Sequence, residues 1–151
     1  MGGIYTVIRT KASVTVEEFG GNFCLIGPMG KNAALEVEPL SKEAIEEKMT
    51  SHPNLSFISQ ALESMRGQGI NCLLGHWLID GNPTVVLFDL ASAYGRLDGW
   101  KGDLWHQTGI PAPNDPEMND AIVFGYLTSW FLGEVSIFVM LSLQGCKKRM
   151  P

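Results

Sequence analysis

A chain of 151 residues, 45% hydrophobic and 18% charged, has the proportions of a single soluble globular domain with a sizeable core. Its net charge of -5 offers no basic stripe to neutralise a phosphate backbone, and no motif that reads RNA or DNA is present, so nucleic acid is not expected as a partner. The three cysteines, Cys24, Cys72 and Cys146, are odd in number and widely spaced, without the paired Cys or Cys/His spacing of a zinc site, which fits a reducing, cytosolic setting.

In chain order, the first segment runs from Gly2 to Ala12. There Ile4, Val7, Ile8 and Ala12 fall at helical spacing, while the β-branched content would equally suit a strand. Polar Thr6, Arg9, Thr10 and Lys11 break up any secretory signal, and the Met-Gly start with Thr6 answers the short myristoylation pattern no better than chance would. Asn22 to Pro28 is a short apolar run stopped by Gly27 and Pro28 and reads as a strand buried on both faces; Ala34 to Glu38 is a weaker strand. From Ser41 to Gly69 the composition turns polar and charged, with a break at Pro53 and a helix over Leu55 to Met65. Ile70 to Ile79 and Thr84 to Leu90 are strands joined by Asp80-Gly81-Asn82-Pro83, whose turn chemistry suits a tight reversal. Ala91 to Pro113 loosens into glycine, tryptophan and proline. Asp115-Pro116-Glu117 then starts a helix that should run from Glu117 to about Glu134.

Strands of buried character alternating with helical segments indicate an α/β domain with a largely parallel sheet, in which ligands gather outside the carboxyl ends of the strands. That architecture by itself names no function.

Four blocks are more specific: GGIYTVIRTKA at Gly2 to Ala12, HWLIDGNPTVVLFD at His76 to Asp89, WKGDLW at Trp100 to Trp105, and NDAIVFGYLTSWFLGE at Asn119 to Glu134. In this order and spacing they resemble the glycogen synthases of animals and fungi. The likeness spans Gly2 to Glu134. One stretch departs from it, SKEAIEEKMTSHPNLSFISQ, which is longer than in vertebrate relatives and reads as a surface insertion.

The resemblance implies an α/β fold, the incomplete Rossmann-like N-terminal lobe of a two-lobed (GT-B type) glycosyltransferase. Residues 1–134 would be the partial lobe, and residues 135–151 an apolar and basic tail outside the family pattern. It further implies a cytoplasmic enzyme that transfers glucose from UDP-glucose to the non-reducing end of an α-1,4-glucan. The anomeric configuration would be retained, with no metal or other cofactor. UDP-glucose and glycogen are then the expected partners, and the full-length family forms homo-oligomers.

Carried over residue by residue, the resemblance puts substrate-binding roles on Gly2, Gly3, Asn119 and Asp120. A glycine pair opening a helix lets backbone N–H groups approach a pyrophosphate, with the helix dipole favouring the negative charge. A frayed terminus is the alternative for the same two glycines. Bacterial relatives carry an Asp-Asn pair near this point, close to donor and acceptor; as plain capping and first-turn residues Asn119 and Asp120 would need no ligand. Asp89, at the carboxyl end of its strand, is read as a cap rather than a ligand contact. Trp100 and Trp105 are read as core residues before sugar contacts, and His52, His76 and His106 as structural or solvated groups without metal-like spacing.

Relative to the family, the chain is expected to lack the strand and donor-binding lysine before the glycines, the histidine segment after Glu134, and the whole C-terminal lobe with its basic pair and glutamate. No catalytic acid, base or nucleophile is assigned, turnover by this chain alone is not expected, and a marginal, aggregation-prone fold is. The run from Ala121 to Leu143 is long enough for a membrane span, and Lys147, Lys148 and Arg149 follow it, so a tail anchor stands as the alternative. Membrane insertion is nevertheless not expected, because the first half of the run belongs to a family core helix and Thr128, Ser129 and Ser136 interrupt it.

Overall fold

The first element of the computed structural model is a helix, which settles the ambiguous opening segment. Residues 3–147 are described, with side chains to residue 145. Helix α1 is Gly3–Phe19. Its β-branched threonines fit because their hydroxyls bond back to the preceding turn, Thr10 Oγ1 donating to the Thr6 carbonyl at 2.9 Å and Thr15 Oγ1 to the Lys11 carbonyl at 2.9 Å. The apolar positions at helical spacing are mostly in solvent: only Ala12 is buried, while Ile4 is 78% exposed.

A 3-10 turn at Gly20–Asn22 leads into strand β1, Cys24–Pro28. This strand is half-buried rather than covered on both faces, with Pro28 exposed. The weak strand expected over Ala34 to Glu38 is instead a one-turn helix, α2 at Ala33–Glu36, followed by a three-residue strand, β2 at Val37–Pro39. Helix α3, Lys42–Lys48, was not expected. Its start is chemically plain, since Ser41 Oγ accepts the Ala44 backbone N–H at 3.1 Å, and Glu43 lies in the first turn. Helix α4, Asn54–Gly67, contains the expected Leu55 to Met65 and is followed by Gly69 at φ +90°.

Strands β3, Cys72–Trp77, and β4, Thr84–Phe88, flank the expected reversal, in which Gly81 (φ +89°) and Asn82 (φ +45°) supply the left-handed backbone. The sheet has the order β1-β4-β3-β2. β2 and β3 are antiparallel, with Val37 opposite Trp77, Glu38 opposite His76 and Pro39 opposite Gly75. The link from Leu78 to Pro83 is too short for a parallel crossover, so β3 and β4 are antiparallel as well. The sheet is therefore not the largely parallel one that the alternation of elements suggested. β2 and β3 approach closely at Gly75, where a Cβ would lie 2.4 Å from the Glu38 carbonyl oxygen.

The chain divides into two compact units. The first comprises Met1–Ser59 and Cys72–Leu87, and so holds α1 to α3 and nearly all of the sheet. The second comprises Gln60–Asn71 and Phe88–Pro151. In it, the stretch expected to be loose is helical: a 3-10 segment over Leu90–Arg96 and then α5, Leu97–Thr108, closed by Gly109 at φ +67°. Helix α6, Pro116–Lys147, starts where Asp115-Pro116-Glu117 said it should but passes Glu134 without a break. Val123, Leu127 and Phe131 are its buried positions, and beyond them Leu132, Ile137, Met140, Leu141 and Leu143 are all more than half exposed. By length and composition Pro116–Gly145 could cross a membrane; the buried positions of its first half are those of a core helix.

Candidate functional site

In the first unit, Gly3 is the first residue of α1, and a Cβ there would meet nothing within 4 Å. Gly2 lies outside the described residues. One groove beside α1, of about 680 Å³, is lined by Tyr5, Thr6, Arg9, Asp80 and Asn82 among others; a more apolar one, of about 420 Å³, is lined by Ile4, Ile8, Leu25, Val85 and Leu87 among others. Tyr5 stands edge-on to Trp77 at 5.6 Å between ring centroids.

In the second unit, the start of α6 positions Asn119 and Asp120. The cap is neither of them. Asp115 holds that place, its Oδ2 accepting the Met118 N–H at 2.9 Å, while Asn119 closes the first turn and Asp120 follows it. Asn119 is buried at 9% exposure, its Nδ2 donates to Asn114 Oδ1 at 3.2 Å, and its own Oδ1 is buried without a partner. A buried acceptor left unsatisfied is unusual and costs on the order of 1–3 kcal/mol. Asp120 is exposed and accepts a hydrogen bond from the Tyr94 hydroxyl, which is the main reason the phenol of Tyr94 is held above its ordinary pKa.

Asp89 behaves as the cap it was read to be: Oδ1 accepts the Ala91 N–H at 3.1 Å and Oδ2 accepts Asn71 Nδ2 at 3.2 Å. Trp100 stacks on Tyr126, with 5.1 Å between centroids and 6° between planes, and the Tyr126 hydroxyl donates to the Trp100 carbonyl. Trp105 is 55% exposed, against the expectation of core packing. One cluster was missed by sequence reasoning: the Arg96 guanidinium lies 5.2 Å over the Trp130 ring and donates to the Gln68 carbonyl, while Trp130 Nε1 donates to Glu134. Only the i,i+4 spacing of Trp130 and Glu134 could have signalled it.

Among the described residues no group of three or more His, Cys, Asp or Glu could hold a metal ion. His52 shares a hydrogen bond with Ser51, and His76 lies between Lys48 and the Asn82 carbonyl. Cys24 is pushed up to about 12 by burial, and its thiol points at the Leu25 carbonyl. Alkylation of Cys24 at pH 8 is accordingly expected to run at least about 100-fold slower than that of a free thiol, whose thiolate fraction is far larger. Peptide mapping after timed iodoacetamide treatment measures this, and labelling of Cys24 at the free-thiol rate would contradict it.

A glycogen synthase family model matches residues 1–144, which extends past Glu134. Among curated proteins, the chain is 48% identical over 136 residues to the glycogen [starch] synthase of Neurospora crassa, covering 89% of this chain and 18% of the relative. It is 47% identical over 137 residues to isoform 1 of the glycogen [starch] synthase of Saccharomyces cerevisiae, covering 90% and 19%. To the liver glycogen [starch] synthase of Homo sapiens it is 42% identical over 137 residues, covering 90% and 18%. The chain thus spans less than a fifth of the length of these relatives. With nearly all of its own length matched, the chain belongs to the glycogen synthase family.

Proposed function

We propose that this chain is part of the N-terminal lobe of a two-lobed glycogen synthase. It contributes contacts to UDP-glucose and to the glucan acceptor in the cytoplasm, without metal, and does not carry out the retaining glucosyl transfer by itself. The observation that carries this reading is the family match over residues 1–144. The unpartnered Oδ1 of Asn119 is compatible with it: the atom is enclosed as it stands, and a shift of its surroundings would leave an unused acceptor for a sugar hydroxyl. The side-chain hydrogen-bond partners of Asn119 and Asp120 are Asn114 and Tyr94, and neither of these brings a positive charge toward a departing diphosphate.

Two measurements test this. Labelled glucose from UDP-glucose should not enter glycogen above background with the purified chain, and measurable turnover would refute the inactivity. Saturation-transfer NMR should detect weak binding of UDP-glucose or a short malto-oligosaccharide, reduced about tenfold by Asn119→Ala, the worth of one hydrogen bond to a buried acceptor. Asn114→Ala, which removes only the internal partner of Asn119, should leave binding nearly intact. Equal binding by Asn119→Ala and the unaltered chain would remove Asn119 from the site.

A second reading, a non-catalytic fragment held to a glucan, a partner or a membrane, is favoured by the exposed Ile137, Met140, Leu141 and Leu143 on α6. Co-sedimentation with vesicles or with glycogen at physiological salt distinguishes it. Retention on vesicles alone supports the tail-anchored form.

A further inference from the structure

Helix α3 opens the charged stretch that begins at Ser41, and it has little to hold it down. Seven residues are too few for a helix to persist alone in water. Only Ile45 is buried among them. Lys48, in its last turn, reaches the sheet, its Nζ lying 3.0 Å from Nε2 of His76 on β3.

That contact fixes the state of the imidazole. An ammonium can only donate, so Nε2 must be the bare, accepting nitrogen. The proton then sits on Nδ1, which is 3.1 Å from the Asn82 carbonyl and donates to it. A second proton on the ring would turn Nε2 into a cationic donor facing another cationic donor. The charged and titratable groups around His76 are Lys48 from α3, His52 from the turn after α3, and Glu38, which stands directly across from it on β2. Glu38 is exposed and sits at the distance at which paired residues on antiparallel strands interact, so it is placed to receive an imidazolium.

We propose that His76 and Lys48 form a proton-sensitive latch: neutral His76 holds α3 against the sheet, and protonated His76 turns to Glu38 and releases Lys48 and the charged segment with it. The direction of the titration agrees. Partial burial, and after it the Lys48 charge, hold the folded pKa of His76 below the ordinary 6.5. The unfolded or undocked state therefore binds the extra proton more readily. Docking is at full strength above pH 6.5 and weakens as the pH falls from there through the folded pKa, by at most about tenfold in the docking equilibrium per pH unit for one proton.

The test is hydrogen exchange of the full chain between pH 8 and pH 5, read at the amides of α3 and corrected for the intrinsic chemical rates. Protection of these amides should fall progressively below pH 6.5, by up to about tenfold per unit, while that of β4 stays constant. In His76→Gln, whose side chain cannot become cationic, α3 protection should not vary with pH. In Lys48→Met the pH dependence should shrink without vanishing, because burial of the ring remains, and the ring proton signal of His76 should titrate at a higher pH than in the unaltered chain. Flat α3 protection in the unaltered chain, undiminished pH dependence in either variant, or an unmoved His76 titration in Lys48→Met would each overturn the latch. The two substitutions act on opposite partners, so misfolding of one leaves the other decisive.

Discussion

Gly81→Ala is expected to lower the stability of the chain by about 3 kcal/mol, from two costs that add. The first is conformational. Gly81 has φ +89°, a region where an L side chain costs roughly 1–2 kcal/mol, and the φ of +45° at Asn82 keeps the turn from relaxing by a simple change of type. The second is steric: a Cβ on Gly81 would lie 2.5 Å from Cα and 3.0 Å from N of Ser13 on α1. These are backbone atoms, so no side-chain rotamer can relieve the contact, and either the helix or the turn must move. Urea unfolding followed by circular dichroism measures the loss. Gly125→Ala is the control, because a Cβ there meets nothing within 4 Å, and removing a mid-helix glycine should raise stability by about 0.5–1 kcal/mol. If Gly81→Ala unfolds at the urea concentration of the unaltered chain, the close approach of the turn to α1 is wrong.

Phe88→Ala should cost about 4 kcal/mol, the upper part of the range for removing a core aromatic ring. Phe88 is fully buried and meets Phe131 of α6 edge to face, with 5.9 Å between centroids and 67° between planes. Truncation removes the transfer free energy of the ring, the edge-to-face term of roughly 0.5–1.5 kcal/mol, and the contacts of the walls left facing a cavity. Domains of this size are stable by only about 5–15 kcal/mol, so the loss would take from roughly a quarter to most of that margin. Phe88→Leu, which keeps most of the volume, should lose well under half as much. A loss below about 1 kcal/mol in Phe88→Ala would show that the ring is not in a packed core.

Where residues carry their own backbone constraint, their structure was readable in advance. The reversal at Asp80-Gly81-Asn82-Pro83 is one case, since glycine and asparagine are the residues that accept positive φ. The start of α6 is another, with a capping aspartate followed by proline. The serine cap of α3 carries the same kind of signal, inside a segment that is mostly charged and polar. The opposite happened at α5. Gly95, Gly99 and Gly102 argued for a loop, yet this stretch is helical and Trp100 stacks flat on Tyr126. Packing against α6 outweighs the local propensity there, and no window of sequence contains both partners.

The candidate site divides in the same way. That Asn119 and Asp120 stand close to the start of a helix followed from the order of residues, but the partners that distinguish them, Asn114 for one and Tyr94 for the other, follow from packing. Asn119 and Asp120 are adjacent in sequence and project at different angles from α6, so one is buried with a free carbonyl and the other is exposed and bound to a phenol.

By itself the sequence determined the family, the position of the tight turn and the beginning of the longest helix. Each depends on residue identity at fixed offsets. The direction of the strands, the helical state of the glycine-rich stretch, the exposure of Trp105 and the meeting of Lys48 with His76 were decided only by tertiary structure, because each depends on which distant surface a residue comes to face.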